Sequence, residues 1–238
     1  MVVPLLVAGC GAGTPKVLPL CISGGLAVTL EQAENAATIA AVGKKLGLPD
    51  HAVTVALATA LQESGLRNLP YGDRDSLGLF QQRPSQGWGS AQTVSTPRLA
   101  AASFYRHLTM VRGWQTLEVT AAAQRVQRSA APQAYAQWED AARQLAKALT
   151  GEVAAGIACR YKAPAQGPGD PRAAAVQELG PGGLARTGST ARTWTAASWL
   201  VSHAASYHVS SVSVAGRTWT SRTGSWTADP SATVLAFR

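Results

Sequence analysis

HAVTVALATALQESG, residues 51–65, is apolar on every side until its last turn. Val53, Val55, Ala56, Leu57, Ala60 and Leu61 cover all faces at helical spacing, which predicts a central, buried helix over residues 51–63. Gly65 is a natural helix stop. Glu63 therefore sits on the final turn of a helix that has no other reason to carry a charge. Desolvation by the apolar helix and the negative end of the helix dipole would both raise its pKa. A carboxyl kept protonated near neutral pH can act as a general acid. The competing reading of Glu63 is a partly exposed helix-terminal residue with no role.

Working upstream, Thr29 and Gln32 form a capping-box pattern that opens a helix over residues 29–46, which Gly47-Leu48-Pro49 ends. Downstream, a polar loop over residues 67–76 leads into Leu77-Gly78-Leu79-Phe80-Gln81-Gln82-Arg83-Pro84 and a Gly/Trp turn at residues 87–89. Pro97, well placed at a first helical position, opens a helix to about residue 111. Two more helices are predicted over residues 117–129 and 132–149, and Gly151 closes the last. Residues 151–192, rich in Ala, Gly, Pro and Thr, read as a linker with a short helix near 171–179. A compact pattern follows: a helix over 195–207 and short strands over 209–214, 217–221 and 233–238. The expected fold class is α+β, an all-α unit over residues 29–150 followed by a small α/β module over residues 193–238.

The chain has 238 residues, of which 46% are hydrophobic and 14% charged, which excludes a disordered polymer. Four of the seven tryptophans fall at or after Trp194, a compositional shift that supports two units. The net charge of +8 points to solubility alone or to an anionic partner, but the basic residues are scattered, so nucleic acid is not expected. No stretch of about 18 apolar residues encodes a membrane span. Residues 1–28 read as the remnant of an export or anchor segment. Within it, Val7-Ala8-Gly9-Cys10 resembles a lipoprotein cleavage box, which sets membrane anchorage through the N-terminus against a chance cysteine in a truncated start. Cys21 and Cys159 flank the helical segment at its two ends, and in an exported chain that placement suggests one disulfide, with two unrelated buried thiols as the alternative. The three cysteines and four histidines have no metal-ligand spacing, so neither a metal nor another cofactor is expected.

Gln62-Glu63-Ser64-Gly65-Leu66 followed by Gly78-Leu79-Phe80-Gln81 resembles the lysozyme-like lytic transglycosylases and the goose-type lysozyme superfamily, with Phe80 in place of the common Met. Tyr71 to Gly89, YGDRDSLGLFQQRPSQGWG, is similar to the form of this module in exported actinobacterial cell-wall proteins. The resemblance covers residues 29–150. It implies a peptidoglycan substrate, with glycan strands as the partner of a monomeric, cell-envelope or extracellular protein. Glu63 would protonate the oxygen bridging N-acetylmuramic acid and N-acetylglucosamine, then act as base toward the muramoyl 6-hydroxyl or a water. Hydrolysing members use a second carboxylate, for which Asp73 and Asp75 are the nearby candidates, against a reading as loop acids paired with Arg74 or Arg67.

By family position Ser64 and Gln81 would line the sugar groove, with Tyr71 and Tyr135 as stacking or hydrogen-bonding groups and Gln127 as a further contact. The family's Tyr-Asn-Ala-Gly segment is absent from the region of Gln127 and Tyr135. That absence favours a second reading, a non-catalytic wall-binding or scaffold protein that keeps the fold. The C-terminal module resembles the end of a small D-Ala-D-Ala-peptidase-like unit without its zinc ligands, with tryptophans that serve either as core or as a glycan platform.

Overall fold

A computed structural model describes residues 20–162 and 170–238. Residues 1–19, which include Cys10 and most of the expected export or anchor segment, lie outside the described residues.

The fold is α+β, with helices and two small antiparallel sheets. Its centre is helix α2 (Asp50–Ser64), buried from Ala52 to Leu61. An all-apolar helix must be covered on every side. Helices α1 (Leu30–Lys45), α4 (Pro97–Met110), α5 (Val119–Gln127) and α6 (Glu139–Leu149) all pack on it, with the short α3 (Ala91–Ser95) against α4. The capping box of α1 is present: the Gln32 amide donates to Thr29 Oγ1 (3.2 Å) and the Thr29 amide to Gln32 Oε1 (2.9 Å). On α1, Gly43 lets the ring of Tyr105 approach so closely that a β-carbon there would lie 2.8 Å from its hydroxyl oxygen. That hydroxyl donates to the Ile39 carbonyl (2.9 Å).

Residues 20–28, grouped with the export segment in the sequence, instead fold back as a hairpin of β1 (Leu20–Ser23) and β2 (Leu26–Val28). The turn residues Gly24 and Gly25 have φ of 54° and 90°, the left-handed conformation that tight hairpins require. The expected linker also contains structure: β3 (Ile157–Arg160) pairs with β1 to give the order β2-β1-β3, and α7 (Arg172–Leu179) is the short helix. Cys21 and Cys159 are direct partners in the β1/β3 register and form a disulfide.

The C-terminal part is α8 (Thr190–Ser202), α9 (Ala204–Tyr207) and a sheet of β4 (Ser211–Val214), β5 (Arg217–Thr220), β6 (Ser225–Ala228) and β7 (Ala236–Phe237) in the order β6-β5-β4-β7. The sequence reading lacks β6, an exposed edge strand with one large apolar residue, Trp226. No break in the core separates this part from the helices, because one apolar cluster runs from Cys21 to Leu235. Polar contacts cross the same boundary. Trp219 Nε1 donates to the Cys159 carbonyl (3.0 Å), and Ser198 Oγ to the Ala148 carbonyl (2.8 Å). Thr38 Oγ1 and Trp199 Nε1 both donate to Glu178 Oε2 (3.0 and 2.7 Å). Trp194, Trp199 and Trp219 are buried, which makes them core. No described helix is long and apolar enough to cross a membrane.

The disulfide joins residues 138 apart in sequence. Replacing both cysteines by serine is expected to lower unfolding free energy by about 2–5 kcal/mol, because the unfolded chain regains the freedom that closing so long a loop removes. Urea denaturation of the two proteins measures the difference.

Candidate active site

The last turn of α2 carries Gln62, Glu63 and Ser64, of which the turn over residues 135–138 holds the first two and the Gly78–Gln81 segment the third. Gly65, at φ 62°, ends the helix, and the Leu66 amide closes back on the Ala60 carbonyl (3.1 Å). The Gly65 carbonyl accepts from Gln32 Nε2 (2.9 Å), so the capping residue of α1 also fixes the end of α2.

Ser64 is buried. Its hydroxyl donates to the Leu79 carbonyl (2.8 Å) and to the Ala60 carbonyl (3.1 Å). It therefore does not line a groove, as the sequence suggested, but clamps the Gly78–Gln81 segment to the helix. That segment is the tip of a tight loop closed by reciprocal bonds between Leu77 and Gln82. Gly78 is needed at its bend: φ is 76° and a β-carbon would collide with the Val94 carbonyl. Phe80 is fully buried and stacks on Phe104, with ring centres 4.7 Å apart. A bulky apolar residue is therefore accommodated where the resemblance expected Met.

Glu63 is half-buried. Tyr135 Oη donates to its Oε1 (2.7 Å), and the Gln127 side chain also favours the ionised form of the carboxyl group. The Gln127 amide donates to the Phe80 carbonyl (2.8 Å), so one side chain links the carboxyl to the loop. Burial pushes the Glu63 pKa up, and the Tyr135 hydrogen bond and the Gln127 side chain oppose it without cancelling it. Burial, together with the nearby Glu63 charge, pushes the Tyr135 phenol up as well, so Tyr135 remains a donor at any ordinary pH.

The structure thus brings Gln127 and Tyr135 to Glu63, without the Tyr-Asn-Ala-Gly segment. The helix expected over 132–149 begins only at Glu139, after a 3₁₀ turn at Ala136–Trp138. Side chains three apart in such a turn share one edge. Tyr135 accordingly reaches Glu63 while Trp138 Nε1 donates to Gln62 Oε1 (2.8 Å). The roles of Gln62 and Trp138 are missed in the sequence. The spacing of Tyr135 and Trp138 within one helical stretch was the available signal.

The other candidates make no hydrogen bond to the carboxyl. Asp75 accepts from Arg83 Nε (2.7 Å) and from the Ser85 amide (2.8 Å), contacts that hold its pKa far below the usual carboxylate range. Its partner is Arg83, not the Arg74 or Arg67 considered from the sequence. Asp73 is highly exposed and lies 3.9 Å from Arg74. Neither aspartate hydrogen-bonds Glu63 or shares a partner with it. Gln81, with φ 46°, donates through Nε2 to the carbonyls of Tyr71 and Gly78 (both 3.2 Å), and the Tyr71 ring is exposed. No three His, Cys, Asp or Glu residues gather to hold a metal among the described residues.

The arrangement is a single carboxyl acid, raised in pKa, with two neutral donors that can follow its change of charge. A carboxyl whose folded pKa is raised stabilises the fold below its unfolded pKa, and that contribution is lost as pH rises through the folded value. Glu63→Gln is therefore expected to unfold at a higher temperature than the unmutated protein at pH 7. The difference should shrink as the pH falls below the ordinary carboxylate range, a trend calorimetry over a pH series can follow. No family model and no curated protein matches the chain, so what this site can do is read from its own geometry.

Proposed function

We propose that the chain is a lysozyme-like enzyme of the lytic transglycosylase type that cleaves the bond between N-acetylmuramic acid and N-acetylglucosamine in peptidoglycan. The observation that carries this reading is Glu63, half-buried at the end of an apolar helix, raised in pKa and hydrogen-bonded by Tyr135. Glu63 donates its proton to the bridging oxygen as the bond breaks through an oxocarbenium-like transition state. The carboxylate left behind is stabilised by the Tyr135 and Gln127 donors. It then takes a proton from the nucleophile, which closes the cycle.

The nucleophile we favour is the muramoyl 6-hydroxyl, giving an anhydro product. A two-carboxylate route needs a second acid free to activate water or to attack. Asp75 is committed to Arg83 and Ser85, and Asp73 sits on the exposed loop beside Arg74. The disulfide fits an oxidising, extracytoplasmic compartment, where peptidoglycan is found. We place the protein there as a monomer that works on glycan strands and takes no nucleic acid.

The test is release of soluble muropeptides from purified sacculi, with mass spectrometry separating anhydro from reducing ends. Glu63→Gln is expected to lower the rate by about 100- to 10,000-fold. Asp73→Asn and Asp75→Asn should cost little by comparison, and the ends should be anhydro. Loss of activity in either aspartate variant, with reducing ends from the unmutated protein, would establish hydrolysis instead. No release by the unmutated protein would leave the wall-binding scaffold as the function.

Tyr135→Phe removes a bond that lowers the Glu63 pKa. The alkaline limb of the rate profile, where the acid loses its proton, should then move to higher pH. An unmoved limb would mean that Tyr135 does not act on Glu63.

A further inference from the structure

We propose that Glu178, Thr38 and His203 form a one-proton lock that fastens α7 and the end of α8 to α1, and that this seam loosens when the proton is lost. Thr38, on α1, stands between the other two: its Oγ1 is 3.0 Å from Glu178 Oε2 and 3.3 Å from His203 Nε2. Glu178 Oε2 also accepts from Trp199 Nε1 (2.7 Å). His203 Nδ1 lies 2.9 Å from the Trp199 carbonyl, which only accepts, so Nδ1 carries a hydrogen. The imidazole stacks on the Trp199 ring, with centres 4.1 Å apart, and Nε2 therefore faces Thr38.

The hydrogen count decides what the cluster needs. A neutral His203 presents Nε2 as a bare acceptor. The Thr38 hydroxyl has one hydrogen and two acceptors before it, the carboxylate and Nε2. An ionised Glu178 beside a neutral His203 leaves one acceptor unmet and a largely buried negative charge. One added proton completes the chain. Held on the carboxyl, it points to the Thr38 oxygen while the Thr38 hydrogen passes to Nε2. Held on the ring, it points to the Thr38 oxygen while the Thr38 hydrogen passes to Glu178. Glu178 Oε2 and His203 Nε2 are 3.6 Å apart, too far for a direct bond, so Thr38 is the necessary bridge and the two groups titrate as a unit. Burial raises the Glu178 pKa and lowers that of His203, which favours the proton on the carboxyl.

The other charged or titratable groups that act on the pair are Glu34 and Lys45 of α1, Arg98 of α4 and Tyr207 of α9. Lys45 donates to the Gln177 carbonyl (2.7 Å) and Glu34 accepts from Ser206 (2.6 Å); none of the four hydrogen-bonds Glu178 or His203 among the described residues. A cavity of about 330 Å³ is lined by Thr38, Glu178 and His203 and gives protons a route to them. Helix α7 is the part that loosens, because only Ala175 of its eight residues is buried and its hold on α1 and α8 is largely polar. The lock does not involve Glu63 and is independent of the proposed reaction.

Once the seam is open, its last proton sits on a solvated His203, with the ordinary imidazole value of 6.5. Above that pH the closed seam holds one proton and the open seam none, so closure weakens as the pH rises, about tenfold per pH unit, until the closed seam also loses its proton. Hydrogen exchange of the full chain, read by mass spectrometry between pH 6.5 and 8.5 and divided by the intrinsic amide rates, is the test. Protection over Arg172–Leu179 is expected to fall with pH in the unmutated protein. It should be independent of pH in Glu178→Gln, which has no proton to lose, and in Thr38→Val, which keeps the shape but removes the bridge. In the unmutated protein, the Glu178 carboxyl and His203 ring resonances should titrate with one midpoint. Protection that stays level or rises with pH, a fall in Glu178→Gln equal to that of the unmutated protein, or two separate midpoints would each overturn the proposal.

Discussion

The structure turns on removing one carboxyl group, Glu63, from water at the end of an apolar helix. An ionised carboxylate in such a place is unfavourable, so the group must either keep its proton or be given donors. Here it has both a raised pKa and two neutral donors, Tyr135 and Gln127. The surrounding contacts keep that balance in place. Gln32 ties the start of α1 to the end of α2, Ser64 ties α2 to the Gly78–Gln81 loop, and Trp138 ties Gln62 to the turn that presents Tyr135. None of these residues carries charge, so the carboxyl is positioned without a cation that would pull its pKa down.

Much of this is legible in the residues. The all-round apolarity of residues 51–63 identifies the central helix, and Thr29 with Gln32 marks where α1 starts. What is hard to read is long-range pairing. Nothing local to Leu20–Ser23 distinguishes a strand from the end of an export segment, because its partners are β2 and, more than a hundred residues away, β3. Edge strand β6 escapes notice for a related reason: with one face in water and one large apolar side chain, it has no alternation to read. In the site, Glu63 is evident from its helix, whereas the choice of Arg83 over Arg74 as partner of Asp75 depends on how the loop folds.

The C-terminal sheet is joined to the helical part through apolar burial and a small set of buried polar contacts. Glu178 on α7 is the clearest of these. It takes donors from α1 and α8 on a single oxygen, and His203 Nε2 lies 3.6 Å away. Burial raises the Glu178 pKa and lowers that of His203, so proximity does not oblige the two to form a charged pair. The tryptophan-rich composition from Trp194 onward thus need not mark a break in packing, because Trp199 and Trp219 fill the same core as the alanines of α1 and α6.

The Cys21–Cys159 bond also sets how the molecule responds to damage. Helices α1 to α6, and with them Glu63, Gln127 and Tyr135, all lie inside the covalent loop it closes. A single peptide-bond cut by a protease anywhere in that loop leaves the two pieces joined through the sulfur bridge and through the strands that carry it. Neither piece can diffuse away, so each remains at high local concentration for the other and can repack against it. In an oxidising compartment, where the bridge persists, one nick inside the loop therefore need not part the carboxyl from its donors.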